Sequence, residues 1–126
     1  MDTKHLEHVM LQQKAYFAGG GTRNIAFRRE ALLALKQMIR QNESVLMDAL
    51  AEDLHKSRFE SYITEIGHVY KEIDGHIRHL KRLSRTRRIP TPLVMFPSRS
   101  RILREPYGTV LIVAPWNYPL NLALIP

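Results

Sequence analysis

One short segment limits the possible folds more than any other part of the chain. Residues Thr109–Ala114 read Thr-Val-Leu-Ile-Val-Ala, an uncharged and largely β-branched run. A strand of this composition has no face suited to water, so it has to be covered on both sides, as in parallel sheets with helices on both faces. The turn-forming sequence Pro-Trp-Asn-Tyr-Pro at 115–119 comes next, and the apolar segment 120–125 begins a helix. The order strand, turn, helix predicts an α/β fold.

The residues before this segment predict a series of amphipathic helices. Apolar positions recur at helical spacing from Asp2 to about Ala18, where three consecutive glycines end the pattern. A second helix follows, capped by Thr22 or Asn24 and ending near Gln41. We expect Asn42 to cap a third helix, which again carries its apolar residues on one side. Each helix needs a surface to pack on.

A longer fourth helix is predicted to begin at Ser57. Ser57 and Glu60 have the spacing of a capping box, in which a hydroxyl and a carboxylate each satisfy a free backbone N–H. We interpret the carboxylates along this helix, Glu65 included, as surface residues paired with lysines such as Lys56. The helical period continues to the edge of a basic region through a stripe of apolar and aromatic residues: Phe59, Tyr62, Ile63, Ile66, Val69, Tyr70, Ile73, Ile77 and Leu80.

The composition changes after Arg88, because prolines remove backbone donors and favour extended conformations. Leu93–Phe96 and Arg101–Arg104 have the length of short strands, and residues 97–100 form a turn between them. The sequence therefore predicts a helical segment at 1–88, a β-ribbon at 89–106 and the beginning of an α/β domain at 107–126. The prolines in question are Pro90, Pro92, Pro97 and Pro106.

The net charge of +7 is concentrated in one region. Nine basic residues lie between Arg78 and Arg104, with no acidic residue among them. A nucleic-acid surface would have this charge, but it would also need several aromatic residues for base stacking, and the region contains only Phe96. We interpret the region as a solvated or partner-covered surface and expect no nucleic-acid partner.

A membrane anchor is an alternative for residues 109–126, because the segment is uncharged and follows basic residues. Pro115, Pro119, Asn117 and Asn121 argue against it, since they would leave backbone and amide groups unsatisfied in lipid. The first residues also lack the uninterrupted apolar core of a secretory signal. We therefore expect no membrane segment and a cytoplasmic location.

Most kinds of catalytic or metal site are excluded by composition. The chain contains no cysteine, so it has no disulfide, no thiolate metal site and no cysteine nucleophile. The histidine pairs His5/His8 and His76/His79 share helical faces, but neither has a third ligand at a suitable spacing. We predict no metal site.

The turn after the apolar run is the candidate that is left. Polar residues at the carboxyl end of a strand in an open α/β sheet face the crevice where ligands bind. Asn117 offers two amide N–H groups that can stabilise an oxyanion, and Trp116 offers a flat apolar surface. Composition alone favours a plainer alternative, which is a proline-rich turn with a tryptophan in the core.

Residues 105–120 carry a resemblance to a known family. They read Glu-Pro-Tyr-Gly-Thr-Val-Leu-Ile-Val-Ala-Pro-Trp-Asn-Tyr-Pro-Leu. This segment matches the Glu-Pro-x-Gly…Pro-Trp-Asn-[Tyr/Phe]-Pro motif, and the sequence thereby resembles the aldehyde dehydrogenase superfamily. Upstream, Ala26–Arg29, Asp53–Ser57 and Thr64–Ile66 are similar to the amino-terminal helices of its class 3, fatty-aldehyde-type branch. The resemblance covers essentially the whole chain.

The resemblance implies a role for each residue of the turn. Asn117 would donate its side-chain amide to the oxyanion that forms when a cysteine thiolate attacks an aldehyde, before hydride passes to NAD or NADP. Ala114, Pro115 and Trp116 would line the cofactor cleft, and Tyr118 would border the aldehyde tunnel. Family members have several hundred residues, and their nucleophilic cysteine, glutamate base and glycine-containing cofactor turn lie beyond this point. The 126 residues therefore resemble an amino-terminal fragment that is inactive by itself.

The same resemblance implies how the parts assemble. Residues 107–126 would begin a Rossmann-like NAD(P)-binding domain, and the ribbon at 89–106 would help to bridge the subunits of a homodimer. An alternative is a non-enzymatic fragment that uses the helices and the basic ribbon to bind a protein partner. In either case we expect the isolated chain to have an exposed apolar tail that favours aggregation or binding.

Overall fold

The computed structural model describes residues 3–126. Over this range the chain forms six α-helices, a π-helical turn, a 3-10 turn and a two-stranded sheet. The strands are β1 (Arg87–Ile89) and β2 (Ser100–Ile102). The α-helices are α1 (Thr3–Ala18), α2 (Ile25–Gln41), α3 (Glu43–Leu54), α4 (Arg58–Ser61), α5 (Gly67–Ser84) and α6 (Pro119–Leu124).

The first two helices have the predicted extents, although the predicted start at Asp2 lies outside the described residues. Of the two candidate caps for α2, the structure selects Asn24, whose Oδ1 accepts a hydrogen bond from the Ala26 N–H at 2.8 Å. Asn24 has the extended backbone that an N-cap requires. Thr22 is not the cap, and its buried hydroxyl has no hydrogen-bond partner within residues 3–126.

The prediction that Asn42 caps the start of α3 is wrong, because its side chain caps the end of α2. The Asn42 side chain donates to the Met38 carbonyl at 2.8 Å, so it satisfies the end of α2 and makes no side-chain cap bond to α3. The reason is the short connection, because Asn42 is the only residue between the two helices. Its φ of −108° and ψ of 12° are far from the extended conformation of a typical N-cap.

The predicted fourth helix runs continuously from Arg58 to Ser84, but it widens in the middle. Ser57 caps its start as predicted, since its Oγ accepts from the Glu60 N–H at 3.1 Å. Residues Tyr62–Ile66 form a π-helical turn between α4 and α5, closed by a bond from the Gly67 N–H to the Tyr62 carbonyl. A Cβ at position 67 would lie 2.9 Å from that carbonyl oxygen, so the wide turn requires glycine there.

The core lies where α2, α3 and α5 meet. Two polar contacts join the same helices at its edge: Lys36 on α2 binds Asp74 on α5 at 2.6 Å, and the Tyr70 hydroxyl on α5 donates to Glu43 on α3 at 2.9 Å. Burial, followed by the hydrogen bond to the Glu43 carboxylate, raises the pKa of Tyr70 to about 12. The buried apolar residues that form one contact cluster are Ile39, Met47, Ile66, Val69 and Ile73; Leu50 is also buried, and Leu120, Leu124 and Ile125 pack against the cluster from α6 and its end.

The ribbon forms with different strands from those predicted. β1 and β2 pair antiparallel, with Arg88 opposite Arg101. The prediction of a strand at 93–96 is wrong, because residues Leu93–Met95 form a 3-10 turn in the loop between the two strands. That loop satisfies its own backbone groups, for example through the Met95 N–H to the Pro92 carbonyl, and so needs no strand partner. The predicted strand 101–104 begins one residue earlier and ends at Ile102.

The apolar run at 109–114 forms no strand and is not buried. Leu111 and Val113 are 88% and 84% exposed. The physical reason is the absence of a partner: within residues 3–126, no other strand lies beside the run to bind its backbone N–H and C=O groups. The tryptophan that follows it is not a core residue either, since Trp116 is 83% exposed. The helix predicted after the turn is present as α6.

Candidate functional site

The residues singled out by sequence lie together in one turn that precedes α6. Ala114 is half-buried, whereas Pro115, Trp116, Asn117 and Tyr118 are exposed. Within residues 3–126, the structure gives the Asn117 side-chain amide no hydrogen bond, so both of its N–H groups are free to bind a ligand. The turn is open to solvent on the side of Trp116, and on its other side it rests on the helices.

A buried ion pair lies beneath the turn. Lys56 follows His55, the left-handed residue that caps the end of α3, and Glu65 lies in the π-helical turn. The Lys56 ammonium binds Glu65 Oε1 at 2.6 Å. The two side chains are 9% and 0% exposed, so water contributes almost nothing to their solvation. Both charges therefore depend on protein partners.

The lysine binds the turn through two groups. Its Nζ donates to the Asn117 carbonyl at 3.1 Å and lies 4.2 Å from the centre of the Tyr118 ring. The first contact fixes the main chain of Asn117, and the second is a cation–π contact in a site from which water is largely removed. One ammonium thus joins the helical body to two consecutive residues of the turn.

The glutamate binds the start of the helix that follows. Glu65 Oε2 accepts from the Leu120 N–H at 3.0 Å and from the Asn121 N–H at 3.2 Å. These amides belong to the first turn of α6, where N–H groups have no partner within the helix and favour a negative charge. The Asn121 side-chain amide also donates a hydrogen bond to the Thr64 carbonyl at 2.9 Å. Glu65 and Thr64 both come from the π-helical turn, a feature that recurs at functional sites.

A model of the aldehyde dehydrogenase family matches residues 1–125. The chain belongs to the aldehyde dehydrogenase family. It is 43% identical over 121 residues to a 4,4'-diaponeurosporen-aldehyde dehydrogenase from Staphylococcus aureus, which covers 96% of this chain and 26% of that protein. It is also 43% identical over 110 residues to human aldehyde dehydrogenase family 3 member B1, covering 87% and 24% of the two chains. The chain spans about a quarter of the length of these relatives.

A solved structure, described as the substrate-bound state of Staphylococcus aureus AldH, has the same fold. It superposes with a TM-score of 0.92 at 42% identity and covers 98% of this chain and 27% of its own. This likeness confirms the predicted fold class, the amino-terminal part of an aldehyde dehydrogenase fold, although residues 109–114 form no strand here. The relatives named as family 3 confirm the predicted class 3 branch.

Other sites considered in the sequence are not assembled by this part of the aldehyde dehydrogenase fold. Among residues 3–126, no three histidine or carboxylate side chains come close enough to hold a metal ion. In the same range, no helix combines the length and the apolar character needed to cross a bilayer. The apolar end of the chain forms only the six-residue helix α6.

The interpretation of Glu65 and Lys56 as a surface pair is wrong. Both are buried, and they bind the turn of the aldehyde dehydrogenase motif as well as each other. A signal for the glutamate was present in the sequence, because Glu65 lies four residues before Val69 and so shares its inward helical face. A carboxylate on that face requires a buried partner. The identity of the partner needed the tertiary structure.

Proposed function

We propose that this chain forms the amino-terminal part of an NAD(P)-dependent aldehyde dehydrogenase, which oxidises aldehydes to carboxylic acids. Family membership supports the reaction class. The observation that carries the proposal is the state of Asn117, whose main chain is held by Lys56 while its side-chain amide is exposed and unbound within the described residues. A fixed donor with free N–H groups is what oxyanion stabilisation requires.

In this proposal Asn117 acts on the aldehyde oxygen. Attack of a thiolate on the carbonyl carbon moves negative charge to that oxygen, and the Asn117 amide donates to it. The donor is already in place, so little reorganisation is needed as the charge develops. Ala114, Pro115 and Trp116 would hold NAD or NADP, which accepts the hydride when bound; the exposed Trp116 ring suits a flat cofactor ring. Tyr118 would border the path of the aldehyde.

The nucleophile of the proposed reaction has to come from outside these 126 residues, which contain no cysteine. We therefore expect the chain alone to form no NADH or NADPH from any aldehyde. The glutamate base and the glycine-containing cofactor turn would likewise be supplied by further polypeptide, together with strands that pair with residues 109–114. This pairing would bury the apolar run that the structure leaves exposed.

We also propose the predicted division into parts and partners. The predicted boundary between 88 and 89 moves to the start of β1, so the helical segment would end before Arg87, residues 87–106 would form the ribbon of a homodimer, and 107–126 the start of the cofactor-binding domain, in a cytoplasmic protein. The 3-10 loop supports an interface at the ribbon, because Leu93, Val94 and Phe96 are 91%, 91% and 82% exposed. The same exposure favours the second candidate, a non-enzymatic module that binds a protein partner.

The proposal is tested with a chimera that joins residues 1–126 to the remainder of the Staphylococcus aureus aldehyde dehydrogenase. The purified chimera is expected to reduce NAD or NADP with hexanal. Replacing Asn117 by Ala should lower kcat on the order of 100- to 1000-fold, the effect of losing one oxyanion donor. Asn42→Ala is the matched control, since Asn42 is exposed between α2 and α3, and it should leave kcat unchanged.

Two results would contradict the proposal. A correctly folded chimera without aldehyde-dependent NADH or NADPH formation would show that these residues do not serve the reaction, and the interaction module would become the leading candidate. An Asn117→Ala chimera with unaltered kcat would remove Asn117 from the reaction.

A further inference from the structure

The turn around Asn117 is held at two points on either side of its free amide. Lys56 binds the carbonyl of Asn117 itself, and Glu65 binds the N–H groups of Leu120 and Asn121. The lysine and the glutamate are bound to each other, so the two points form one rigid unit. Asn117 thus has a fixed main chain and a side chain without a hydrogen bond in residues 3–126.

Stability alone does not account for charged residues at these positions. A buried ion pair loses much of its hydration, and well-packed apolar residues of similar volume stabilise a protein as well or better. Apolar residues, however, could neither donate to the Asn117 carbonyl nor accept from the two amides of α6. What the pair provides, and an apolar pair cannot, is the direction of the backbone that carries Asn117.

We propose that Lys56 and Glu65 are positioning residues, which act on the reaction through Asn117 by fixing the orientation of its main chain. This inference rests on the proposed function. A displacement of about an ångström in a reacting group lowers a rate on the order of 100-fold. The ion pair needs no contact with the aldehyde or the cofactor to have that effect, because it positions Asn117, the residue that contacts the aldehyde oxygen.

The test is a double-mutant cycle in the chimera of residues 1–126 and the Staphylococcus aureus enzyme, with hexanal as substrate. Lys56→Met is expected to lower kcat on the order of 100-fold while the KM for hexanal changes little. In the Asn117→Ala background, Lys56→Met should have almost no further effect, because the group that it positions is already absent. Lys56→Arg, which keeps a charged donor, should retain most of kcat. Each variant is first checked for a native circular dichroism spectrum.

Lys36→Met is the matched control. It removes an ion pair between helices, Lys36 with Asp74, that makes no contact with the turn. A merely structural role for Lys56 predicts the same fractional loss of kcat with or without Asn117, whereas positioning predicts a loss only when Asn117 is present; Lys36→Met should leave kcat unchanged in both backgrounds. If Lys56→Met lowered kcat by the same factor in the wild-type chimera and in the Asn117→Ala chimera, the positioning role would be overturned. If Asn117→Ala itself left kcat unchanged, the proposed function would be overturned instead, so the two failures are distinguishable.

A second measurement requires no activity. In the 126-residue chain, Glu65→Ala should speed hydrogen exchange at the Leu120 and Asn121 amides, because it removes their acceptor. Glu65→Gln keeps an acceptor oxygen and should retain part of the protection, and Lys36→Met should retain all of it. Unchanged exchange at both amides in Glu65→Ala would show that the carboxylate does not hold the turn, and the inference would fail.

Discussion

Two ion pairs of this chain have the same length and very different surroundings. Lys56 binds Glu65 at 2.6 Å, and Arg58 binds Asp48 at 2.6 Å. The side chains of the first pair are 9% and 0% exposed, whereas those of the second are 59% and 65% exposed. An N–O distance therefore does not report the energy of an ion pair. Hydration and the other partners of each charge decide it.

When the exposed pair opens, its two charges lose their contact with each other and gain contact with water. In water each of its charges is well solvated when the pair opens, and dissolved salt screens the attraction. The buried pair has no such alternative, since each of its charges depends on the other and on the turn at 117–121. The contribution of the buried pair to the free energy of unfolding is therefore best measured by removing one charge and leaving the other.

Lys56→Met is expected to have the largest effect on the chain. It leaves the Glu65 carboxylate buried without a counter-charge, and breaking a buried pair in this way costs about 3–5 kcal/mol. The free energy of unfolding is measured by urea denaturation, followed by far-ultraviolet circular dichroism. A loss below about 1 kcal/mol, the range of exposed pairs, would mean that burial does not distinguish the two pairs.

The double variant Lys56→Met/Glu65→Leu is the control for this interpretation. It removes the orphaned charge, so it should recover roughly half of the loss or more. It should not recover everything, because the Leu120 and Asn121 amides would then lack their acceptor. A double variant less stable than Lys56→Met would locate the loss in packing and not in an uncompensated charge.

Tyr70→Phe should have an intermediate effect, since Tyr70 is neither fully buried nor fully exposed. It loses the hydrogen bond to Glu43 and should destabilise the chain by about 1 kcal/mol at pH 7. The pKa of Tyr70 is about 12 in the folded chain, above its ordinary value of 10.0. Because the folded state holds the proton more tightly, this contribution is complete below pH 10 and is lost as the pH rises toward 12.

Urea denaturation of the wild-type chain and of Tyr70→Phe at several pH values measures this dependence. The difference in unfolding free energy between them should shrink as the pH rises above 10. A difference that grows over that interval would mean that Tyr70 ionises more easily in the folded state, against the direction given by its burial and by Glu43.

Asp48→Asn is expected to have the smallest effect. The pair that it breaks is exposed, so the unfolding free energy should change by about 0.2–0.5 kcal/mol. The same denaturation experiment, repeated at high and low salt, measures it. The small difference should vanish at high salt, and an effect as large as that of Lys56→Met would cancel the distinction between the two pairs.

The parts of the fold that depend on local sequence were predictable. Helical periodicity gave the extent of α2 and the continuous helical stretch from α4 to α5, and the caps Asn24 and Ser57 have the residue types that N-caps prefer. Which helix Asn42 caps was not predictable in this way, because an asparagine between two helices can cap the end of the first or the start of the second. The π-helical turn was also hidden, since apolar periodicity is too coarse to reveal one extra residue in a turn.

The parts that depend on distant partners were not predictable. The partner strand of β2 lies at 87–89 and not at 93–96, and strand pairing is decided by contacts across the loop. In the candidate site, the residue types of the motif gave the turn with Asn117. Its support came from Lys56 and Glu65, which lie more than fifty residues earlier in the sequence. No local pattern joins residues that far apart.

That separation gives the chain an order of assembly during translation. Lys56 and Glu65 leave the ribosome well before residues 117–121, and the helices that form the apolar core, α2, α3 and α5, are complete by Ser84. Amino-terminal units generally fold first as they are synthesised. The motif that follows therefore meets a finished template carrying one ammonium and one carboxylate, and it docks on this template as it emerges.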